Sequence, residues 1–302
     1  MAERGSLTLF VDSIIGALAS GVLGAVNRLD RRRAANFAGA LLRKVGPFLP
    51  EHRIGRDNLR AAFPEKSDAD IERILAGVWD NLGRVTVEFA HLDEFCVAGV
   101  GPQTADVITY RPEMKGHFND LMQSGEAVLC FAAHLANWEI PAVGAKAIGA
   151  KTAVLYRRPN IAPVGDLIVR LRTPLMGELV ANGLSAPVQL ARLASSGVHV
   201  GMLVDQHYTK GVEVIFFGRR CMANPLIALL ARQTERPIRG MRAIRKADGN
   251  SFSMEITDPI DPARDAEGRI DIAGTMQRIT SVVEGWIREY PEQWLWLHRR
   301  WR

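Results

Sequence analysis

The sequence predicts an α/β fold with a mostly parallel central sheet flanked by helices, preceded by a helical N-terminal region and a membrane-anchoring helix. Three observations carry this. From about residue 105 short apolar runs alternate with amphipathic segments, the order that builds a parallel sheet with helical crossovers. Residues 34–95 instead read as helical throughout. Ahead of both, residues 7–26 (LTLFVDSIIGALASGVLGAV) form an apolar run with a single charge, Asp12.

As a helix that first run would reach about 30 Å, roughly the thickness of a bilayer core. Arg28, Arg31, Arg32 and Arg33 follow it directly, and positive charge on that flank would hold the C-terminal side in the cytoplasm. Asp12, two serines and three glycines dilute its hydropathy, so a helix lying in the interface or buried in a core competes with a spanning one. A cleaved signal fits worse, because no clearly basic stretch precedes the run. The chain therefore divides into an anchor, 1–33, and one domain, 34–302, whose 34–104 part is helical and whose 105–302 part is α/β.

The later elements follow in order. The helical stripe of AANFAGALLRKVGPFL breaks at Gly46-Pro47, and Ser67 with Asp70 three positions on is an N-cap with its capping-box partner. EAVLCFAAH (126–134) is a buried strand by length and continuous apolarity, 137–149 a helix, KTAVLYR (151–157) a strand and 162–172 a helix. A helix over 185–197 ends at glycine. VHVGMLVD (198–205) and VEVIFFG (212–218) are strands, and 224–235 is a helix with Pro225 in its first turn. Two strands flank the turn Asp248-Gly249-Asn250, and an amphipathic helix covers 275–290.

The chain has 302 residues, is 47% hydrophobic and carries a formal charge of +5, mostly as arginine. Such a surface suits phosphates, anionic lipids or an acidic partner. A nucleic-acid module is excluded, since the basic residues are dispersed and no recognition motif is present. Cys96, Cys130 and Cys221 are scattered, without a CxxC pair. That argues for a reducing compartment and against a disulfide framework or structural zinc; Cys130, inside AVLCFAA, belongs to the core.

Sites in open α/β sheets gather beyond the carboxyl ends of strands, so His134, Arg157, Arg158 and Asp205, each at the end of a predicted strand, are the residues to examine. In FAAHLANWEIP, Glu139 follows His134 by five positions. On one helix that separation would not share a face. With His134 at the strand end and Glu139 in the first helical turn, the carboxylate folds back to accept the Nδ1 proton, leaving Nε2 to take a proton from substrate. No GxSxG elbow supplies a serine nucleophile, and the spacing is not that of HExxH, so the nucleophile is the substrate's own hydroxyl. Alone, the pair is weak: a strand-end histidine bonded for structure is its bland alternative.

Further motifs shift the balance. His134-Leu-Ala-Asn-Trp-Glu139 resembles the HxxxxD/E signature of the lysophospholipid acyltransferase superfamily, in the glutamate form of the lipid A biosynthesis (lauroyl/myristoyl) acyltransferase family. YRRPNIAP (156–163) is similar to that family's YRPxxNP segment, MLVDQHY (202–208) to its DQ-bearing strand end, VIFFGRR (214–220) to its PFFGR, RDNLRAAFP (56–64) to its early RxNL…FP, and PEQWLWLHRRW (291–301) to its closing PEQWLW-HRR. The likeness runs through most of the chain in one order.

The resemblance implies transfer of an acyl chain from acyl carrier protein to a hydroxyl of a Kdo-lipid A precursor at the cytoplasmic face of the inner membrane, with no metal or organic cofactor. It implies His134 as general base with Glu139, Arg157 or Arg158 with Asn160 on phosphate or headgroup, a further arginine at Arg170 or Arg172, and Asp205 in support. The extra arginine in YRRPNIAP leaves the arginine register open, and His207 departs from the pattern. Acylation of another glycolipid or glycerolipid, perhaps from acyl-CoA, and a membrane-bound scaffold with a vestigial dyad are the competing readings. Trp294 and Trp296 are expected to dock the C-terminal segment on the core, and Arg299, Arg300 and Arg302 to face the interface.

Overall fold

The computed structural model describes residues 6–97, 107–110, 116 and 125–301. The helical part comprises α1 (Ser6–Val26), α2 (Arg31–Val45), α3 (Pro50–Ala62) and α4 (Asp68–Glu88). A 3₁₀ turn, Gly46–Phe48, stands where Gly46-Pro47 breaks the pattern. Ser67 caps α4, with the reciprocal bond from Asp70 in place. Ile71, Leu75 and Val78 then fall on one buried face, at helical spacing.

The α/β part follows as β1 (Cys96–Val97), β2 (Val107–Tyr110), β3 (Leu129–Ala132), α5 (Ile140–Ala147), β4 (Thr152–Tyr156), α6 (Ala162–Met176), β5 (Glu178–Ala181), α7 (Ala186–Ser195), β6 (His199–Leu203), β7 (Val212–Phe216), β8 (Arg219–Ala223), α8 (Leu226–Thr234), β9 (Ile238–Arg245), β10 (Phe252–Ile256) and α9 (Ile272–Glu289). The main sheet has the order β1-β2-β10-β9-β3-β6-β4-β5. Every pairing in it is parallel except β9 with β10, which turn about Asp248, whose Oδ1 accepts from the backbone of Asn250 and Ser251. Apolar clusters cover both faces: Leu129 and Phe131 join the one under α7, α8 and α9, and Val128 and Cys130 the one under α5. Burial on both sides is why these strands read as continuous apolar runs.

Several elements depart from the sequence reading. β1, β2, β5 and β8 were not expected, β1 falling in the part read as helical; β5 is a short edge strand, and β8 (RRCMA) opens with two exposed arginines. β8 pairs with β7 as a separate hairpin held to α9, where Gln277 accepts from Ile215 N and Glu284 from Phe217 N. Finally, α1 forms, but among the described residues no helix is long and apolar enough to cross a membrane, so the spanning anchor lacks support. Its glycines dilute the hydropathy, and one of them, Gly16, lies directly on Pro163 at the start of α6. The expected boundary at 104–105 lies outside the described residues.

Where α2 crosses α4, the helices touch backbone to backbone: a Cβ on Gly83 would sit 2.4 Å from the Ala38 carbonyl oxygen. Glycine to alanine inside a helix ordinarily gains about 1 kcal/mol. Here the sign reverses, and Gly83→Ala should cost about 1–3 kcal/mol by overpacking, read as a lowered urea midpoint at unchanged m-value. A stabilised variant would show that the crossing is looser than described.

Candidate active site

β3 and β6 are parallel neighbours in the register Ala132↔Leu203. Two residues past each strand end stand His134 and Asp205, side by side. Asp205 Oδ1 lies 2.8 Å from His134 Nδ1, and its Oδ2 accepts from the His134 backbone N–H at 2.8 Å and from Trp294 Nε1 at 2.7 Å. An ionised carboxylate only accepts, so Nδ1 carries the proton and the lone pair is on Nε2. The Gln206 amide nitrogen lies 3.3 Å from that Nε2.

Burial alone would raise the Asp205 carboxyl. The charge and hydrogen bonds of His134, with the charge of His298, outweigh it and hold the acid far below the usual carboxylate range.

Glu139 does not take the place expected of it. It is buried beside α5 and forms a close ion pair with Arg172 of α6. The five-residue span reaches the helix start but turns the carboxylate toward α6, and the adjacent strand end already fills the Nδ1 position. The hydrogen-bond partner of His134 Nδ1 is thus Asp205, to which the sequence reading gave only a supporting part.

The loop between His134 and Glu139 is pinned at several points. Ala136 adopts a left-handed backbone, φ +49°. Its N–H donates to Gln293 O at 2.8 Å, and its carbonyl accepts from Asn81. Asn137 accepts from Glu139 N and donates to Glu88, which is ion-paired with Arg245.

His134 faces a cavity of about 670 Å³ between the sheet and helices α5 and α6. Alternate residues of adjacent strands line it: Cys130 and Ala132 on β3, Gly201 and Leu203 on β6, Val154 on β4. His134 and Arg157 mark one end, at the strand C-termini, and His199 the other. At about 3.3 Å per residue the cavity runs roughly 20 Å along the strands. Gly201 keeps it open, since a Cβ there would meet nothing nearer than 3.9 Å. Burial pushes the Cys130 thiol up to about 12, so it remains a neutral wall residue. His199 is likewise lowered by burial, and its Nδ1 accepts from Val128 N.

Of the arginines, Arg157 and Arg172 line the cavity. Arg158 turns away to pair with Asp166 at 2.7 Å, and Arg170 is exposed on the outer side of α6. Asn160 is exposed and outside the cavity lining. His207, left open by its residue pattern, lines the cavity with Tyr208, Asn224 and Trp138, none of which the sequence singled out as site residues. The expected docking of Trp294 and Trp296 holds, as both are buried. Arg300 corrects the expectation of an interfacial arginine: it is 1% exposed, donates to Met222 O and lies against the Phe216 ring. Arg299 is exposed, and Arg302 lies outside the described residues. Among the described residues no group of three or more His, Cys, Asp or Glu side chains is placed to hold a metal ion.

The family model described as bacterial lipid A biosynthesis acyltransferase matches residues 7–302. No curated protein matches the chain.

Because the folded Asp205 is more acidic than in the unfolded chain, its contribution to stability is complete above the unfolded value, about pH 4, and is lost as pH falls through the folded one. Urea midpoints measured from neutral to acid pH should therefore drop for the wild type, and Asp205→Asn should lack that part of the drop. Parallel curves for the two proteins would show that the carboxyl is not held down.

Proposed function

The chain belongs to the bacterial lipid A biosynthesis acyltransferase family, and from that premise we propose that it moves a fatty acyl chain from acyl carrier protein to a hydroxyl of a Kdo-lipid A precursor, with His134 as general base oriented by Asp205. One observation carries this reading: a histidine whose Nε2 lone pair meets only the exposed Gln206 amide, which a substrate hydroxyl can displace, stands at the end of an apolar cavity.

The donor's chain lies along the strands, with its thioester carbonyl near His134. One leaflet contributes about half of a bilayer's roughly 30 Å of hydrocarbon, about 15 Å, so a cavity of some 20 Å accommodates a chain of that class. The acceptor hydroxyl gives its proton to His134 Nε2 as its oxygen attacks the carbonyl carbon. The tetrahedral intermediate collapses with cleavage of the C–S bond, and the departing thiolate takes the proton back from the imidazolium. Arg172, with its Nε buried and unpartnered, is held by Glu139 beside this path and is suited to meet the developing oxyanion or a substrate phosphate. Arg157, exposed at the cavity mouth, is suited to the headgroup.

Attachment to the cytoplasmic face of the inner membrane belongs to the same proposal. Leu18 and Val22 of α1, and Phe37 and Leu41 of α2, are exposed large apolar side chains, and the exposed Arg28, Arg32 and Arg33 lie between them in sequence. Apolar residues with neighbouring cations suit a helix pair lying in an anionic interface.

The test is transfer from purified acyl carrier protein thioester to lipid A precursor, followed by product mass. His134→Ala should fall by at least about 10²-fold in a protein that stays folded by circular dichroism, with a lowered melting temperature because Asp205 loses a donor; transfer at the wild-type rate would overturn the base assignment. In the same assay Gly201→Leu, which places a side chain across the middle of the cavity, should shift preference toward shorter acyl chains. An unchanged chain-length profile would show that the acyl group lies elsewhere.

A further inference from the structure

The C-terminal segment, apart from docking on the core, closes over the active-site loop from outside. Leu135 and Trp294 form an antiparallel bridge. Leu295 N donates to His134 O at 3.1 Å, and Gln293 O accepts from Ala136 N at 2.8 Å. The segment therefore acts as an added strand against the residues that carry the base. Gln293 is fixed in turn to β9, where its side chain accepts from Arg245 N and donates to Arg245 O.

Among the described residues one side chain of this segment donates to the dyad, Trp294, whose indole N–H lies 2.7 Å from Asp205 Oδ2. The other two donors to Asp205 both come from His134. They belong to the group being oriented, so the indole N–H is the donor that holds the carboxylate independently of the base. The indole is 1% exposed and packed edge-on against Trp296 and Phe216, so its N–H has a single direction. Trp296 is as deeply buried, yet its Nε1 donates to the Pro291 carbonyl, away from the site. Two neighbouring tryptophans thus share a packing role, and only one of them holds a reacting group's partner.

We propose that Trp294 is a positioning residue for acyl transfer: its indole N–H fixes the rotamer of Asp205 and shares its charge, and so sets the orientation and basicity of His134. This rests on the reading of His134 as general base. The other charged or titratable groups at Asp205 are His298 and Arg300, both from the same C-terminal segment. His298 is pushed down by burial, and its Nδ1 donates to Leu295 O rather than to the carboxylate. Arg300 donates to Met222 O, away from the dyad. Neither replaces the indole donor. Without that donor the carboxylate's charge bears more fully on His134, the imidazolium is favoured, and the carboxylate is free to rotate.

The experiment replaces Trp294 by 3-benzothienylalanine, which substitutes sulfur for the N–H at nearly the same volume, alongside Trp294→Phe and the same sulfur isostere at Trp296. The isostere at 294 should lower kcat about 10-fold, a fraction of what a general base supplies, with KM for both substrates within about twofold, as expected when only a transition-state interaction is lost. The acidic limb of its kcat/KM profile should move to higher pH. The isostere at 296 should leave the pH profile where it was. Wild-type kcat and pH profile in the folded 294 isostere would overturn the proposal, as would an equal shift from position 296. If Trp294→Phe fails to fold, the isostere still decides. Should His134→Ala retain transfer, the base reading itself falls; should His134→Ala be inactive while the isostere is silent, only the role of Trp294 falls.

Discussion

The buried carboxylate of Asp205 is the constraint on which the site depends. Taking an ionised carboxyl out of water costs several kcal/mol unless its lone pairs are filled. Here the end of β6 supplies the charge, the end of β3 supplies two donors through His134, and the C-terminal segment supplies the third through Trp294. Three stretches distant in sequence must meet for the charge to be tolerated. The parallel pairing of β3 with β6 brings the first two together, and the tail can reach them because α9 crosses the same face of the sheet and delivers Gln293 onto β9. The residue that is costliest to bury is thereby also the one that registers the site.

The cavity follows from the same register. In parallel neighbours every second side chain faces one side, so Cys130 and Ala132, Gly201 and Leu203, and Val154 share one wall of the cavity, while the side chains of Leu129, Phe131 and Met202 belong to the core under α7, α8 and α9. The hollow exists because Cys130, Ala132 and Gly201 on that wall are small and because α5 meets it with alanines, Ala142 and Ala145. A core with this many small residues facing each other would ordinarily collapse or be filled. A long apolar void ending at a polarised histidine has the shape of a chain with one reactive end.

Much of this was legible in the residues. The capping box at Ser67, the break at Gly46-Pro47 and the turn at Asp248 are local chemistry, and each forms as read. The strand-end rule brought out His134, Arg157 and Asp205 because continuous apolarity marks where buried strands stop. What sequence alone could not settle was which strand end lies beside which. The pairing of His134 with Glu139 came from proximity along the chain, whereas the partner is set by the neighbour relation of β3 and β6, seventy-one positions apart. The choice between Arg170 and Arg172 likewise turned on which face of α6 meets the sheet. β8 escaped because Arg219 and Arg220 interrupt its apolar pattern, and its pairing depends on the Phe217-Gly218 turn, where both residues have positive φ. Trp294 was read as packing alone, since nothing in a PEQWLW string tells which indole N–H meets a charge.

Two further buried ion pairs take their meaning from the loop they surround. Glu88 with Arg245, and Glu139 with Arg172, bracket residues 136–139 on either side. Buried pairs of this kind contribute little net stability against apolar replacements of the same shape, so stability is a weak account of their presence. Positioning is a stronger one. Ala136 holds a left-handed conformation that costs a non-glycine residue on the order of 1–3 kcal/mol, and such a conformation persists only where its surroundings over-determine it. Asn81, Gln293 and the Glu88–Arg245 pair through Asn137 supply that over-determination. The result is a short, strained loop with little freedom left, delivering an imidazole to one side and a carboxylate–guanidinium pair to the other of the same cavity end. In the proposed reaction such a fixed separation would serve a base at the acceptor hydroxyl and a cation at the charge developing on the carbonyl, because the attacking oxygen and the developing oxyanion sit on the same carbon.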